Sequence, residues 1–185
     1  MVILRLYDSK EYNKTMKKES KHIKRVGIDI HGVININPIF SKLCKELKEK
    51  RYEIHILTGP RLEYPYKTNI EEFERIEDEL EKYDIVYDVL FSVLDYNVKK
   101  GSNVWKNERG WWTDTKSWNE TKGLYCKEKD ILLHIDDTKV YGDTFETPFG
   151  YLSNETMTIE FSGIDKKSDV IQDFKCLEKY FTFKF

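Results

Sequence analysis

Apolar runs that stop at a carboxylate or a hydroxyl set the strongest limit on how this chain folds. RVGIDI (25–30) enters the turn Asp29-Ile30-His31-Gly32-Val33, YEIHILTGP (52–60) stops at Thr58-Gly59, and DILLHIDD (130–137) stops at the pair Asp136-Asp137. Short apolar runs bounded by turn residues read as buried strands. After the first, Ile39, Phe40, Leu43, Cys44 and Leu47 recur at helical spacing, with Asn37 placed as N-cap and Pro38 suited to the first turn. After the second comes a charged stretch, Thr68 to Tyr83, whose apolar positions Ile70, Phe73, Ile76 and Leu80 suggest a second helix. IVYDVLFSVL (85–94) reads as a third strand, Trp118 to Glu128 as the helix leading into the fourth, TMTIEF (156–161) as a fifth, and Ile171 to Tyr180 as a closing helix. Strands alternating with helices at this spacing imply an α/β fold, a Rossmann-like three-layer sandwich around a mostly parallel sheet with right-handed crossovers.

Two segments resist this scheme. Residues 2–6 (VILRL) suit a short strand and 8–24 a polar, Lys-rich arm, while residues 95–121, rich in Trp, Gly, Asn and Lys, lack clean periodicity and read as an insert running over the surface. A chain of 185 residues fits one domain, 1–185, carrying that insert. Lys plus Arg number 31 against 33 Asp plus Glu, which removes any global electrostatic case for binding nucleic acid or anionic lipid. No run is apolar and long enough for a membrane span or a signal peptide, so no membrane partner and a cytoplasmic location are expected. Cys44, Cys126 and Cys176 are widely spaced and unpaired in pattern, which points to small buried apolar residues rather than a disulfide framework or a zinc site.

In an open parallel sheet, ligands bind beyond the carboxyl ends of the strands. Asp29, Thr58, Asp136 and Asp137 are all placed there, and Lys122 lies on the helix before the fourth strand. Each residue alone has an ordinary use: an aspartate or threonine after a strand commonly caps a helix, and a lysine is commonly solvated. The set points elsewhere. Three gathered carboxylates repel one another unless a hard cation such as Mg²⁺ neutralises them, and Mg²⁺ favours one or two carboxylates together with phosphate and water. A threonine hydroxyl, the N–H groups of glycine turns and a lysine ammonium hold phosphate oxygens.

In this order the motifs resemble those of the haloacid dehalogenase superfamily. GIDIHGV resembles its first motif, HILTG its second, Trp118 through Lys122 the lysine helix of its third and LLHIDD its fourth, over about residues 25–137. IDDTKVYGDTFETPF further resembles the tail of small phosphatase-like proteins. The resemblance implies a Mg²⁺-dependent phosphatase without a large cap. Asp29 would be the nucleophile and a metal ligand, the His31 backbone carbonyl a second ligand, and Asp136 with Asp137 the remaining ones. Thr58 and Gly59 would bind the transferring phosphoryl group, and Lys122, with Lys116 as a weaker alternative, would offset its charge.

One departure stands out. The family's phosphatases usually carry a second aspartate two positions after the nucleophile as general acid and base, and this chain has His31. Histidine titrates near neutrality and suits the same task, so His31→Asp is expected to preserve or raise turnover. The short interval from Val33 to Glu53 holds one helix and no cap, so the site is expected to be open. Trp105, Trp111, Trp112 and Trp118 then serve either as a lid that stacks on a base or sugar or as packing against the domain. The expected substrate is a small phosphate ester such as a nucleotide. Two alternatives stay open: a catalytically silenced binding module, favoured by His31, and a polynucleotide 3′-phosphatase, favoured by Lys99, Lys100, Lys106 and Arg109 among the tryptophans. A phosphorelay receiver domain is excluded by motif order, because there the acidic pair comes first.

Overall fold

Val26, Gly27 and Ile28 are buried in succession, so both faces of the first run are covered, as a central parallel strand requires. The computed structural model describes residues 23–67, 72–108 and 110–185; the expectations for residues 2–6 and most of 8–24, and for Ile70 and Arg109, lie outside them. In chain order the elements are β1 (Lys24–Ile28), α1 (Ile39–Glu49), β2 (Tyr52–Thr58), β3 (Tyr66–Lys67), β4 (Glu72–Phe73), α2 (Ile76–Lys82), β5 (Val89–Ser92) and α3 (Val93–Lys100). There follow β6 (Val104–Asn107), β7 (Gly110–Thr113), α4 (Thr115–Glu128), β8 (Ile131–Asp136), β9 (Phe149–Ser153), β10 (Thr158–Ser162), α5 (Asp169–Asp173) and β11 (Thr182–Lys184).

Seven strands form one sheet in the order β11-β10-β9-β8-β1-β2-β5. From β5 to β9 all neighbours are parallel; β10 runs antiparallel to β9, and β11 parallel to β10. The protein is therefore an α/β fold with a mostly parallel central sheet. Helices cover both faces. Phe40, Leu43 and Leu47 of α1 pack with Ile28, Ile54 and Ile56 on one side, while Tyr125 and Cys126 of α4 pack with Leu57 and Phe91 on the other. The chain steps from β1 outward through β2 to β5 and then returns to the opposite side of β1 as β8. The strand order thus reverses between β1 and β8, the position at which open α/β sheets bind ligands.

Local chemistry explains where elements differ from the sequence reading. Asn37 does accept the Ile39 N–H through its side chain, at 3.0 Å, with Pro38 already at helical φ −63°. The run at 85–94 is split: β5 ends at Ser92, whose hydroxyl accepts the Asp95 N–H, and α3 begins there and ends at Gly101 in the left-handed region, φ 74°. Residues 95–121 are accordingly most of α3, a hairpin and the first half of α4, which starts where Asp114 accepts the Ser117 N–H. Of the helix expected from Thr68 to Tyr83, the described residues 72–83 contribute α2 alone, and Phe73 lies in the short β4. The expected closing helix is α5 followed by a 3-10 turn at Lys175–Lys179, after which β11 adds an edge strand. Among the described residues no helix is long and apolar enough to cross a membrane.

Candidate active site

Asp29 stands one residue beyond β1, and its N–H donates to the Ile135 carbonyl of β8 at 2.9 Å. That bond continues the β1–β8 ladder by one step and sets Asp29 beside Asp136, the last residue of β8. Lys122 reaches both from α4: its Nζ lies 2.8 Å from Asp29 Oδ1 and 2.6 Å from Asp136 Oδ2. None of the three is more than 5% exposed. Asp137 adds a third carboxylate, with one oxygen of each aspartate lying within 4.8 Å of the others. Lys116, in contrast, is exposed on the first turn of α4, so Lys122 is the lysine that the fold directs to the carboxylates.

The loop after β1 is shaped to receive Asp137. Gly32 has φ +79°, and a Cβ there would fall 1.8 Å from Asp137 Oδ2, so both the backbone and the space require glycine. Asn35 accepts the Gly32 N–H at 2.8 Å, and Asn154 donates to the Gly32 carbonyl at 2.9 Å. On the other side the Thr138 N–H donates to Asp136 Oδ1 at 2.9 Å.

Three carboxylates face one ammonium, and the charges respond accordingly. Burial, with the neighbouring Asp136 charge adding to it, raises Asp29 against the pull of Lys122. Burial works the same way on Asp136, but there Lys122 and His134 outweigh it and hold the carboxyl well below its usual range. Lys122 loses to burial and gains more from the two carboxylates, so its ammonium is held above its ordinary value. Asp137 is raised by burial and by Asp136. The centre holds more carboxylates than ammonium groups in a buried, low-dielectric setting, and the three carboxylates offer oxygen donors only, the donor set of a hard divalent cation.

Thr58 ends β2, beside β1 in the register Ile28↔Ile56. It is wholly buried, yet its Oγ1 has no hydrogen-bond partner among the described residues. Gly59 lies against the indole of Trp118, where a Cβ would approach the ring to 2.9 Å. His31 turns its Nε2 to Glu79 Oε2 on α2, at 3.1 Å. Burial depresses this imidazole, but the Glu79 hydrogen bond and the charges of Asp29 and Glu79 together raise its pKa above the usual value. The fold thus gathers Asp29, Lys122, Asp136 and Asp137 directly. Thr58 ends the neighbouring strand β2 at the same, carboxyl end of the sheet, and the His31 ring faces Glu79.

Two residues of this centre escaped the sequence reading. Glu79 is wholly buried at the same helical face as Ile76 and Leu80; an acid at a core-facing position was the signal. His134 lies within an apolar strand, and its Nε2 sits 3.2 Å from Asp136 Oδ2 while its ring stacks on Phe145 with centroids 5.3 Å apart. Burial lowers the His134 pKa, and because a carboxylate only accepts, it is the Nε2–H that donates to Asp136. Gly27, across the ladder, leaves the space: a Cβ there would meet Nδ1 at 2.6 Å.

Compared with known proteins, the sequence matches no family model and no curated protein, and the fold matches no solved structure.

Proposed function

We propose that this chain is a Mg²⁺-dependent phosphohydrolase of the haloacid dehalogenase type, acting on a small phosphate ester through an aspartyl-phosphate on Asp29. The observation that carries this reading is Lys122 bridging Asp29 and Asp136, with Asp137 alongside, at the point where the strand order reverses. The Thr58 hydroxyl, without a partner among the described residues and at the carboxyl end of the neighbouring strand β2, would supply a donor for a phosphoryl oxygen.

The residues fit the cation. Asp29, Asp136 and Asp137 would hold it together with the His31 carbonyl, and when bound it would offset phosphate charge and draw electron density from phosphorus. An Asp29 oxygen attacks the phosphorus, the P–O ester bond breaks, and the departing oxygen takes a proton from the His31 imidazolium. Water then attacks the phosphorus and gives its proton to His31, and the bond between Asp29 and phosphorus breaks to release orthophosphate. Lys122 keeps the Asp29 carboxylate oriented and compensates the charge of the transferring group. The buried Glu79 changes what His31→Asp should do, since it sets a second carboxylate toward Glu79. His31→Gln, which keeps a donor for Glu79 but cannot carry the proton, is the sharper substitution, and general acid–base assistance of this kind is worth about 10²–10⁴ in rate.

The test is a Mg²⁺-dependent phosphatase screen over nucleotides, sugar phosphates and 3′-phosphorylated oligonucleotides, with Asp29→Asn as control. Turnover that vanishes in Asp29→Asn and on chelation supports the reading. Absence of turnover on every class leaves the fold serving as a binding module.

A further inference from the structure

Trp118 and Lys122 stand four residues apart on α4, so they share one face about 6 Å apart along the axis. Lys122 points to Asp29 and Asp136, while Trp118 covers Gly59, the residue after Thr58. The Trp118 indole therefore lies on the side of α4 that carries Lys122 and against the residue that follows Thr58. Trp112 of β7 lies over it, with ring centroids 5.6 Å apart and planes 32° from parallel. Beyond Trp112 opens a cleft of about 810 Å³ lined by Trp105, Asn107, Glu108, Trp112 and Asp114, among others.

The hairpin of β6 and β7 is held so that this face stays available. Trp105 pairs with Trp112 across the hairpin, and Lys106 with Trp111; opposed residues share a face and successive ones alternate. The Trp111 face is spent on structure. Its ring meets Tyr64 edge-on at 5.6 Å, and the Arg61 guanidinium lies 4.2 Å from the Tyr64 ring and 4.9 Å from that of Trp111 while bonding Asp95 at 2.8 Å. The other face keeps Trp105 40% exposed and Trp112 half-buried at the cleft. The charged residues described in the cleft lining are the carboxylates Glu108 and Asp114, which disfavour a polyanion, and the indoles of Trp105 and Trp112 offer a stacking surface for a flat ring.

We infer that Trp112 and Trp105 form the subsite for a nucleobase, so that the substrate is a nucleoside monophosphate, with its sugar passing Trp118 and its phosphate at Lys122. This rests on the phosphohydrolase reading for the placement of the phosphate, but the base subsite is testable without it. Full-length Asp29→Asn protein is titrated with adenosine, adenosine 5′-monophosphate, ribose 5-phosphate and a 3′-phosphorylated oligonucleotide, followed by tryptophan fluorescence and calorimetry. Adenosine is expected to quench the fluorescence and bind without Mg²⁺. Trp112→Ala is expected to weaken adenosine and its monophosphate by about 5- to 150-fold, the range that base stacking on an aromatic ring supplies, and to leave ribose 5-phosphate unchanged. Trp112→Phe, which keeps a ring, should restore most of the affinity and guards against a variant that fails to fold. Equal loss for ribose 5-phosphate, no effect of Trp112→Ala, or tightest binding by the oligonucleotide with a steep salt dependence overturns the inference. Adenosine binding with no turnover of any ester upholds the subsite and overturns the phosphohydrolase reading instead.

Discussion

Two polar clusters, one partly buried and one buried, sit at opposite ends of the parallel strands, and they are built differently. At the amino end, His55 Nδ1 pairs with the Tyr125 hydroxyl at 2.7 Å and Nε2 with Glu53 Oε1 at 2.7 Å. Arg25 balances Glu53 at 3.0 Å and donates onward to the Lys129 carbonyl at 3.3 Å. Both imidazole nitrogens are satisfied, and the charges match one to one. At the carboxyl end, one ammonium serves three carboxylates, and a buried hydroxyl is left over. A complete cluster has finished its work when the chain is folded. An incomplete one at a strand-order reversal is where an unfilled function is to be sought, and the proposed cation and phosphate would complete it.

Substitutions at matched positions should pull the two clusters apart. The largest effect is expected for Lys122→Met, which leaves Asp29 and Asp136 buried without a cation. Urea unfolding of the metal-free protein should show a loss of about 3–5 kcal/mol, partly recovered by Mg²⁺. Arg25→Met at the amino end, where the pair is partly solvated, should cost only about 1 kcal/mol. Equal losses would erase the contrast.

Asp29→Asn should act with the opposite sign. The folded-state pKa of Asp29 is raised from 3.8 to about 7 by burial, with Asp136 adding to it, so its contribution is fully present below the unfolded value and is lost as pH rises through the folded one. Metal-free Asp29→Asn should therefore be more stable than the parent at pH 8, with the gain fading toward pH 4. A pH-independent difference in thermal midpoint would count against that assignment.

His134→Phe keeps the stacking on Phe145 but removes the donor to Asp136. Calorimetry should then find Mg²⁺ affinity reduced by about 10- to 100-fold, the usual weight of a group that orients a metal ligand. His55→Phe should leave Mg²⁺ affinity unaltered. The smallest pair compares hydroxyls. Thr58→Val removes an unpartnered group and should be neutral or slightly stabilising while weakening phosphate binding, whereas Tyr125→Phe breaks a made hydrogen bond and should cost about 1 kcal/mol. A destabilising Thr58→Val would mean that its hydroxyl is bonded in solution.

Much of the parallel core could be read in the chain, because Ile28, Ile56 and Ile135 belong to runs that name a buried strand without reference to any partner. The strand ends marked Asp29, Thr58 and Asp136-Asp137 in the same way, and the helix before β8 marked Lys122. What escaped depends on pairing at a distance. β9 and β11 are short and gain their identity from β10, with Leu152 opposite Ile159 and Phe183 beside it. α3 was hidden because Val93 and Leu94 prolong an apolar run, although Ser92 and Asp95 already carried the cap that starts the helix. Glu79 and His134 were hidden for the same reason: each sits at an apolar position, and only the fold reveals that its partner is His31 or Asp136.

Whether Asp29, Lys122, Asp136 and Asp137 act as one site is tested most directly by titrating fluoroberyllate into the protein with and without Mg²⁺, followed by fluorine NMR. One bound equivalent that requires Mg²⁺ and disappears in Asp29→Asn is expected. Binding that is indifferent to Mg²⁺ or to the loss of the Asp29 carboxylate, or no binding under any condition, would contradict it.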